Sequence, residues 1–128
     1  MSKEELGKEE LEKEAASDNG RVVLCGANAY EKKYYFNKEK FGNLPKSIQD
    51  ELHVICVMFT EECGGIFTIV FEPDGGISMD TASDESDYYY DEISAGLMTG
   101  EIRRKRSDLL EALSMYYRTL ILHEPLAE

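Results

Sequence analysis

Between Ser47 and Ile102 the chain contains no lysine or arginine, although it carries thirteen aspartates and glutamates there. That gap, with a net charge of −12, argues against a nucleic-acid backbone as the partner, because like charges repel. Histidine is scarce: only His53 and His123 are present. Cysteine is scarce too, with Cys25, Cys56 and Cys63 and no C-x-x-C pair, a pattern of free, reduced thiols rather than of a disulfide framework. Zinc does not suit these cysteine and histidine spacings. Long apolar runs are missing: none approaches the roughly 18 residues of a membrane span. The opening "MSKEELGKEELEKEAASDNG" lacks the apolar core of a signal peptide. The expectation is a cytoplasmic protein.

Missing motifs exclude more. The sequence has no Ser-His-Asp arrangement, Walker loop, G-x-G-x-x-G or H-E-x-x-H. Cys25, after "VVL" and before a glycine, has the setting of a nucleophile at a strand end, but a cysteine nucleophile needs a base. His53 falls on an expected helix and His123 near the tail, and nothing in the sequence places either beside Cys25. No catalytic residue, cofactor site or metal site is assigned.

What is present is a globular composition, 42% hydrophobic and 31% charged, in a length that fits one domain. Residues 1–19 read as a charged tail or frayed helix, since only Leu6, Leu11 and a few alanines offer apolar surface. Residues 20–124 read as a single α+β domain and 125–128 as a C-terminal tail. "RVVLCG" (21–26) reads as a strand, "GAN" as its turn, and the alternating "AYEKKYYFN" (29–37) as the partner strand. In residues 43–65, Leu44, Ile48, Leu52, Ile55 and Phe59 recur at helical spacing. The second half of that helix is apolar nearly all round, so deep burial is expected. "GIFTIVFEPDGGISMDTAS" (65–83) is a hairpin with its first strand central and its second nearer an edge. Residues 87–100 and 101–125 read as two helices, with Gly96 and Gly100 as a break or kink and Pro125 as the stop. The order is (α)ββαββαα: a four-stranded, mainly antiparallel sheet with helices on one face.

The stretch "SDESDYYYDE" (83–92) surrounds three tyrosines with Asp84, Glu85, Asp87, Asp91 and Glu92. Calcium requires six to eight oxygens around one point, and the D-x-D-x-D-G pattern is missing. The first reading is a helix start, with Asp87 capping the free amides and acids at the positive end of the dipole. Tyr89 or Tyr90 would then enter the core with Ile93 and Leu97. The second reading is a protein-binding surface formed by Asp84, Glu85, Asp87, Tyr88, Asp91 and Glu92, facing a partner with a basic surface. The cluster "RRKR" (103–106) falls at an expected helix start, and Glu61 and Glu62 at an expected helix end. Both oppose their dipoles, so the two clusters are expected either to face one another or to lie on solvated faces.

Taken together, "VLCGANAYEKKYYFN", "LPKSIQDELHVICVMFTEECGGIFTIVFEPDGGI", "SDESDYYYDEI" and "LLEALSMYYR" resemble a family of small proteins from anaerobic gut bacteria of the clostridial type, known only as a domain of unknown function. The resemblance spans roughly residues 21–122. It implies a cytoplasmic single-domain protein and carries over no catalytic or binding residues. A looser similarity of size, acidity and hairpin plan is to immunity proteins that neutralise bacterial toxins. Three roles follow: a non-enzymatic interaction or regulatory module, an immunity-type inhibitor of a cationic toxin, and a small enzyme or ligand binder. The chain would be a monomer or homodimer.

Overall fold

The apolar run Ile66–Phe71 forms an inner strand of a four-stranded sheet. The computed structural model describes residues 20–123; the expected tails at 1–19 and 125–128, and Pro125, lie outside them. Strand β1 spans Val22–Asn28, β2 Lys33–Phe36, β3 Ile66–Phe71 and β4 Ile77–Ala82. Their order across the sheet is β2-β1-β3-β4 and every pairing is antiparallel. The helices are α1 (Lys38–Phe41), α2 (Lys46–Cys63), α3 (Glu92–Lys105) and α4 (Ser107–Tyr116), the last continued by a π-helical turn at Tyr117–Ile121. The α+β class and two-hairpin plan are those read from the sequence; the short α1 was not anticipated. No described helix is long and apolar enough to cross a membrane.

β3 is central because it is apolar on both faces. Phe67, Ile69 and Phe71 join the core beneath the helices, while Thr68 and Val70 are buried on the alternate face. β4 is an edge strand, with Ile77 and Met79 against the core and residues 80–82 exposed. The turn between them works as its Pro-Asp-Gly-Gly predicts. Glu72 N–H donates to the Gly76 carbonyl (2.7 Å), Asp74 Oδ1 accepts from Gly76 N–H (2.9 Å), and Gly75 takes φ +92°.

The first hairpin differs from expectation. "GAN" is the end of β1, pairing with β2 and β3 on its two sides. Gly26 is needed for close approach, since a Cβ there would sit 2.8 Å from the Phe67 carbonyl oxygen. The turn is 29–32, where Asn28 Oδ1 accepts from the amides of Tyr30 (2.9 Å) and Glu31 (3.2 Å). Tyr30 therefore sits in the turn, not in the partner strand read for residues 29–37. A register shift between Val23 and Cys25 lets both Leu24 and Cys25 reach the core.

The stripe on α2 holds: Leu44, Leu52, Ile55 and Phe59 are buried, with Ile48 partly so. Its second half is not deeply buried all round, because Val54 and Met58 are about half exposed, at 50% and 47%. The last two helices break at Arg106 (φ −113°, ψ 26°), and α3 runs straight through Gly96 and Gly100. Arg103, Arg104 and Lys105 therefore lie in the last turn of α3, where cations suit the dipole, rather than at a helix start. Beneath these helices Phe59 stacks on Phe67 (4.4 Å), and Phe71 stacks on Tyr117 (4.3 Å) with Phe41 alongside (5.2 Å). Phe71 thus joins the sheet to α1 and to the C-terminal helical segment. Phe71→Ala should lower unfolding stability by about 3–5 kcal/mol in urea titration. Met115→Ala, at an exposed position, should stay within about 0.5 kcal/mol; equal losses would show that the stack does not carry the fold.

Candidate functional site

The acidic segment is a loop, not a helix start. α3 begins at Glu92, and its N-cap is Asp91 rather than Asp87. The reason is local competition. Asp84 Oδ1 accepts from Ser86 N–H (2.9 Å) and Ser86 Oγ–H (2.8 Å), and Asp87 Oδ1 accepts from Tyr89 N–H (3.1 Å). Asp91 Oδ1 accepts from the amides of Ile93 (2.9 Å) and Ser94 (3.3 Å), and its Oδ2 accepts from Ser94 Oγ–H (2.8 Å). Each aspartate side chain captures the amide two residues on, which diverts the backbone from helix until the last one caps it. The loop is also tied to the first hairpin. Tyr30 Oη donates to Asp87 Oδ2 (2.7 Å) and accepts from the Asp84 amide (2.9 Å).

Tethered in this way, the loop divides its tyrosines. The Tyr90 ring packs against Gly65 and the core edge, where a Cβ on Gly65 would meet it at 2.7 Å. Tyr88 and Tyr89 are 91% and 98% exposed. Glu85 and Glu92 are exposed beside them. The six residues assigned to a protein-binding surface thus share one loop and helix start, but Asp84, Asp87 and Asp91 also shape the backbone. Among the described residues no group of three or more His, Cys, Asp or Glu side chains is placed to hold a metal ion.

The start of α3 also departs from expectation. Ile93 and Leu97 are 76% and 72% exposed; the inward face is Ala95, Met98 and Ile102, spaced i, i+3 and i+7. α3 runs antiparallel along α2: Cys63 Sγ meets Met98 Sδ at 3.7 Å near one end, and Arg106 Nη1 meets Glu51 Oε1 at 2.8 Å at the other. That direction separates Glu61 and Glu62 from the 103–106 cluster and brings Glu62 to the Cys63 end, near Asp91. Burial, then the charges of Glu62 and Asp91, push the Cys63 thiol up. The basic cluster is used elsewhere: Arg103 donates to the Ile77 carbonyl (3.0 Å) and Lys105 pairs with Glu101 (2.6 Å). Between the helices lies an open groove of about 550 Å³ whose lining includes Ile55, Met58, Leu97, Met98 and Ile102.

A second cluster lies under β2. Cys25 Sγ and Cys56 Sγ are 3.6 Å apart and fully buried. Tyr34 covers them, and His53 stacks on its outer face at 4.1 Å. His53 thus reaches this cluster by stacking on Tyr34, and among the described residues no hydrogen bond joins it to Cys25. Burial, and then the neighbouring Cys56, push the Cys25 thiol well up, which opposes the thiolate a nucleophile requires. Burial likewise raises Tyr34. The arrangement packs thiols; it does not activate one.

The tie made by Tyr30, the Tyr34–His53 stack and the exposure of Met58 and Leu97, the latter expected in the core, were not anticipated from the sequence. Only the last two had a signal: the helices carry more apolar residues than one stripe can bury. The chain matches the model of a family of unknown function (DUF6145) over residues 21–125, and it belongs to that family. No curated protein and no solved structure matches it.

Serine and backbone donors hold the carboxyls of Asp84 and Asp91 below the ordinary aspartate value of 3.8. A depressed folded-state pKa stabilises above the unfolded value, and that stabilisation is lost as pH falls through the folded value. Amide protection at Ser86, Ile93 and Ser94, corrected for intrinsic exchange, should therefore hold from neutral pH down to 3.8 and decline only below it. Decline well above that value would contradict the bonding scheme.

Proposed function

For this member of DUF6145 we propose a non-enzymatic protein-interaction or regulatory role, exercised through the loop at 83–92 on a partner with a basic surface. The observation that supports it is the pair Tyr88 and Tyr89, almost fully exposed on a loop tied down at both ends. Large exposed aromatics are unfavourable in water unless something covers them. Tyrosine gives broad contact area for few rotatable bonds, and a loop already ordered loses little entropy on binding. Glu85 and Glu92 flank the tyrosines, and Asp84 and Asp91, held below the ordinary aspartate value, keep their charge while shaping the turn. The resulting field would steer a cationic partner and disfavour nucleic acid.

The setting we infer is the bacterial cytoplasm, of the clostridial type to which the sequence resemblance points. An immunity-type inhibitor of a cationic toxin is the special case in which the basic partner is a toxin. The test is capture from an extract of the source cells by immobilised protein, with the bound proteins identified by mass spectrometry. A basic protein should be retained at low salt and lost at high salt. Its recovery should fall at least tenfold with Tyr88→Ala/Tyr89→Ala, a substitution at positions too exposed to disturb the core. Capture indifferent to both salt and the tyrosines would overturn the proposal.

A further inference from the structure

The groove between α2 and α3 is lined by apolar side chains from both helices. Its floor is Ile55, Met98 and Ile102, and its walls are Met58 and Leu97, with Val54 and Ile93 exposed one turn earlier on their helices. Exposed aliphatic and thioether side chains thus gather on two adjoining helices, the kind of surface that marks an interaction site. Methionine suits such a site because its unbranched, polarizable side chain adapts to what it meets. Along α3 the lining runs from Ser94 to Lys105, about 17 Å at 1.5 Å per residue. That length accommodates about three helical turns.

The charges at the two ends of the groove are not equivalent. At the Lys105 end they are already balanced, Lys105 by Glu101 and Arg106 by Glu51. At the other end stand Glu62, Asp91 and Glu92, and among the described residues none of the three is in an ion pair. Glu61 and Glu62 also occupy the last turn of α2, where the helix dipole disfavours acids. Lys32 and Lys33 line a cavity with Glu61 on the far side of α2, which leaves Glu62 as the α2 acid that lines the groove. Among the charged residues that line the groove, the one outside an ion pair is thus Glu62, at the end near Asp91.

We infer that this groove receives an amphipathic helix from a partner protein. The helix would carry apolar side chains at i, i+3, i+4 and i+7, and lysine or arginine at the end that lies over Glu62 and Asp91. Apolar anchors fill the groove between Met58 and Leu97, as in helix-in-groove recognition generally. The cationic end supplies the charge that the chain's own residues leave out. The inference rests on the interaction-module reading and extends it, because the acidic end of the groove adjoins the loop that presents Tyr88 and Tyr89.

The experiment uses the full chain labelled with ¹³C-methyl methionine, titrated at low salt with a synthetic amphipathic helical peptide of about four turns. The peptide has leucines at the four anchor positions and lysines in its terminal turn; the control has glutamates there. Met58 and Met98 report the groove, and Met79 and Met115 report the rest. The lysine peptide should shift the Met58 and Met98 methyls saturably and leave those of Met79 and Met115 in place. Leu97→Glu, at an exposed position, should weaken binding at least tenfold, as should the glutamate control; Met115→Glu should change nothing. Absence of shifts at Met58 and Met98, equal binding of both peptides, or equal shifts at Met115 would overturn the inference. So would a concentration-dependent dimer of the free protein, seen by light scattering and abolished by Leu97→Glu, which would make a second copy the occupant. Peptide binding that survives Tyr88→Ala/Tyr89→Ala, with capture from the extract also unchanged by that variant, would reject the loop and keep the groove.

Discussion

A single phenol hydroxyl organises the surface on which the functional reading rests. Tyr30 Oη donates to Asp87 and accepts from the Asp84 amide, so the turn of the first hairpin holds the loop that leads into α3. Without that tie, a segment of five carboxylates would repel itself and sample many shapes. With it, Tyr90 turns inward against Gly65 while Tyr88 and Tyr89 face solvent. The loop's fixed shape also sets where α3 begins, and hence how α3 lies on α2 and where the groove opens.

The acids of this region have two uses. Asp84, Asp87 and Asp91 bond the amides two residues onward, and those bonds hold two of them, Asp84 and Asp91, below the ordinary aspartate range. They therefore remain charged while they shape the backbone, so order and negative potential come from the same atoms. Glu92, in the first turn of α3, suits the helix dipole, whereas Glu61 and Glu62 have no such structural return and add only charge. A fold under pressure for stability alone would place cations at the end of α2; acids there instead are the kind of local conflict that accompanies a function.

Much of the architecture was legible because its signals are local. The doubly apolar β3, the Pro-Asp-Gly-Gly turn and the Leu52–Ile55–Phe59 stripe each specify their own geometry. The misreadings arose where a distant contact decided. "GAN" carries turn residues, but Gly26 is there to let the β3 backbone approach. Ile93 and Leu97 have core periodicity, but α3 lies on α2 through Ala95, Met98 and Ile102. The break at Arg106 carries no glycine or proline. In the candidate site, the composition of 83–92 was plain from the sequence, whereas the role of Tyr30, more than fifty residues away from Asp87, was not. Nor could spacing alone show that Tyr34 meets both His53 and the buried thiols.

The central claim is that the acidic loop is a rigid display rather than a fluctuating charged segment. Backbone ¹⁵N relaxation over residues 83–91 tests it most directly, with Tyr30→Phe as the comparison. The account predicts order parameters near about 0.85, as in the flanking elements, falling toward about 0.6 when the hydroxyl is removed. Low order parameters in the unaltered protein, or values indifferent to Tyr30→Phe, would contradict it.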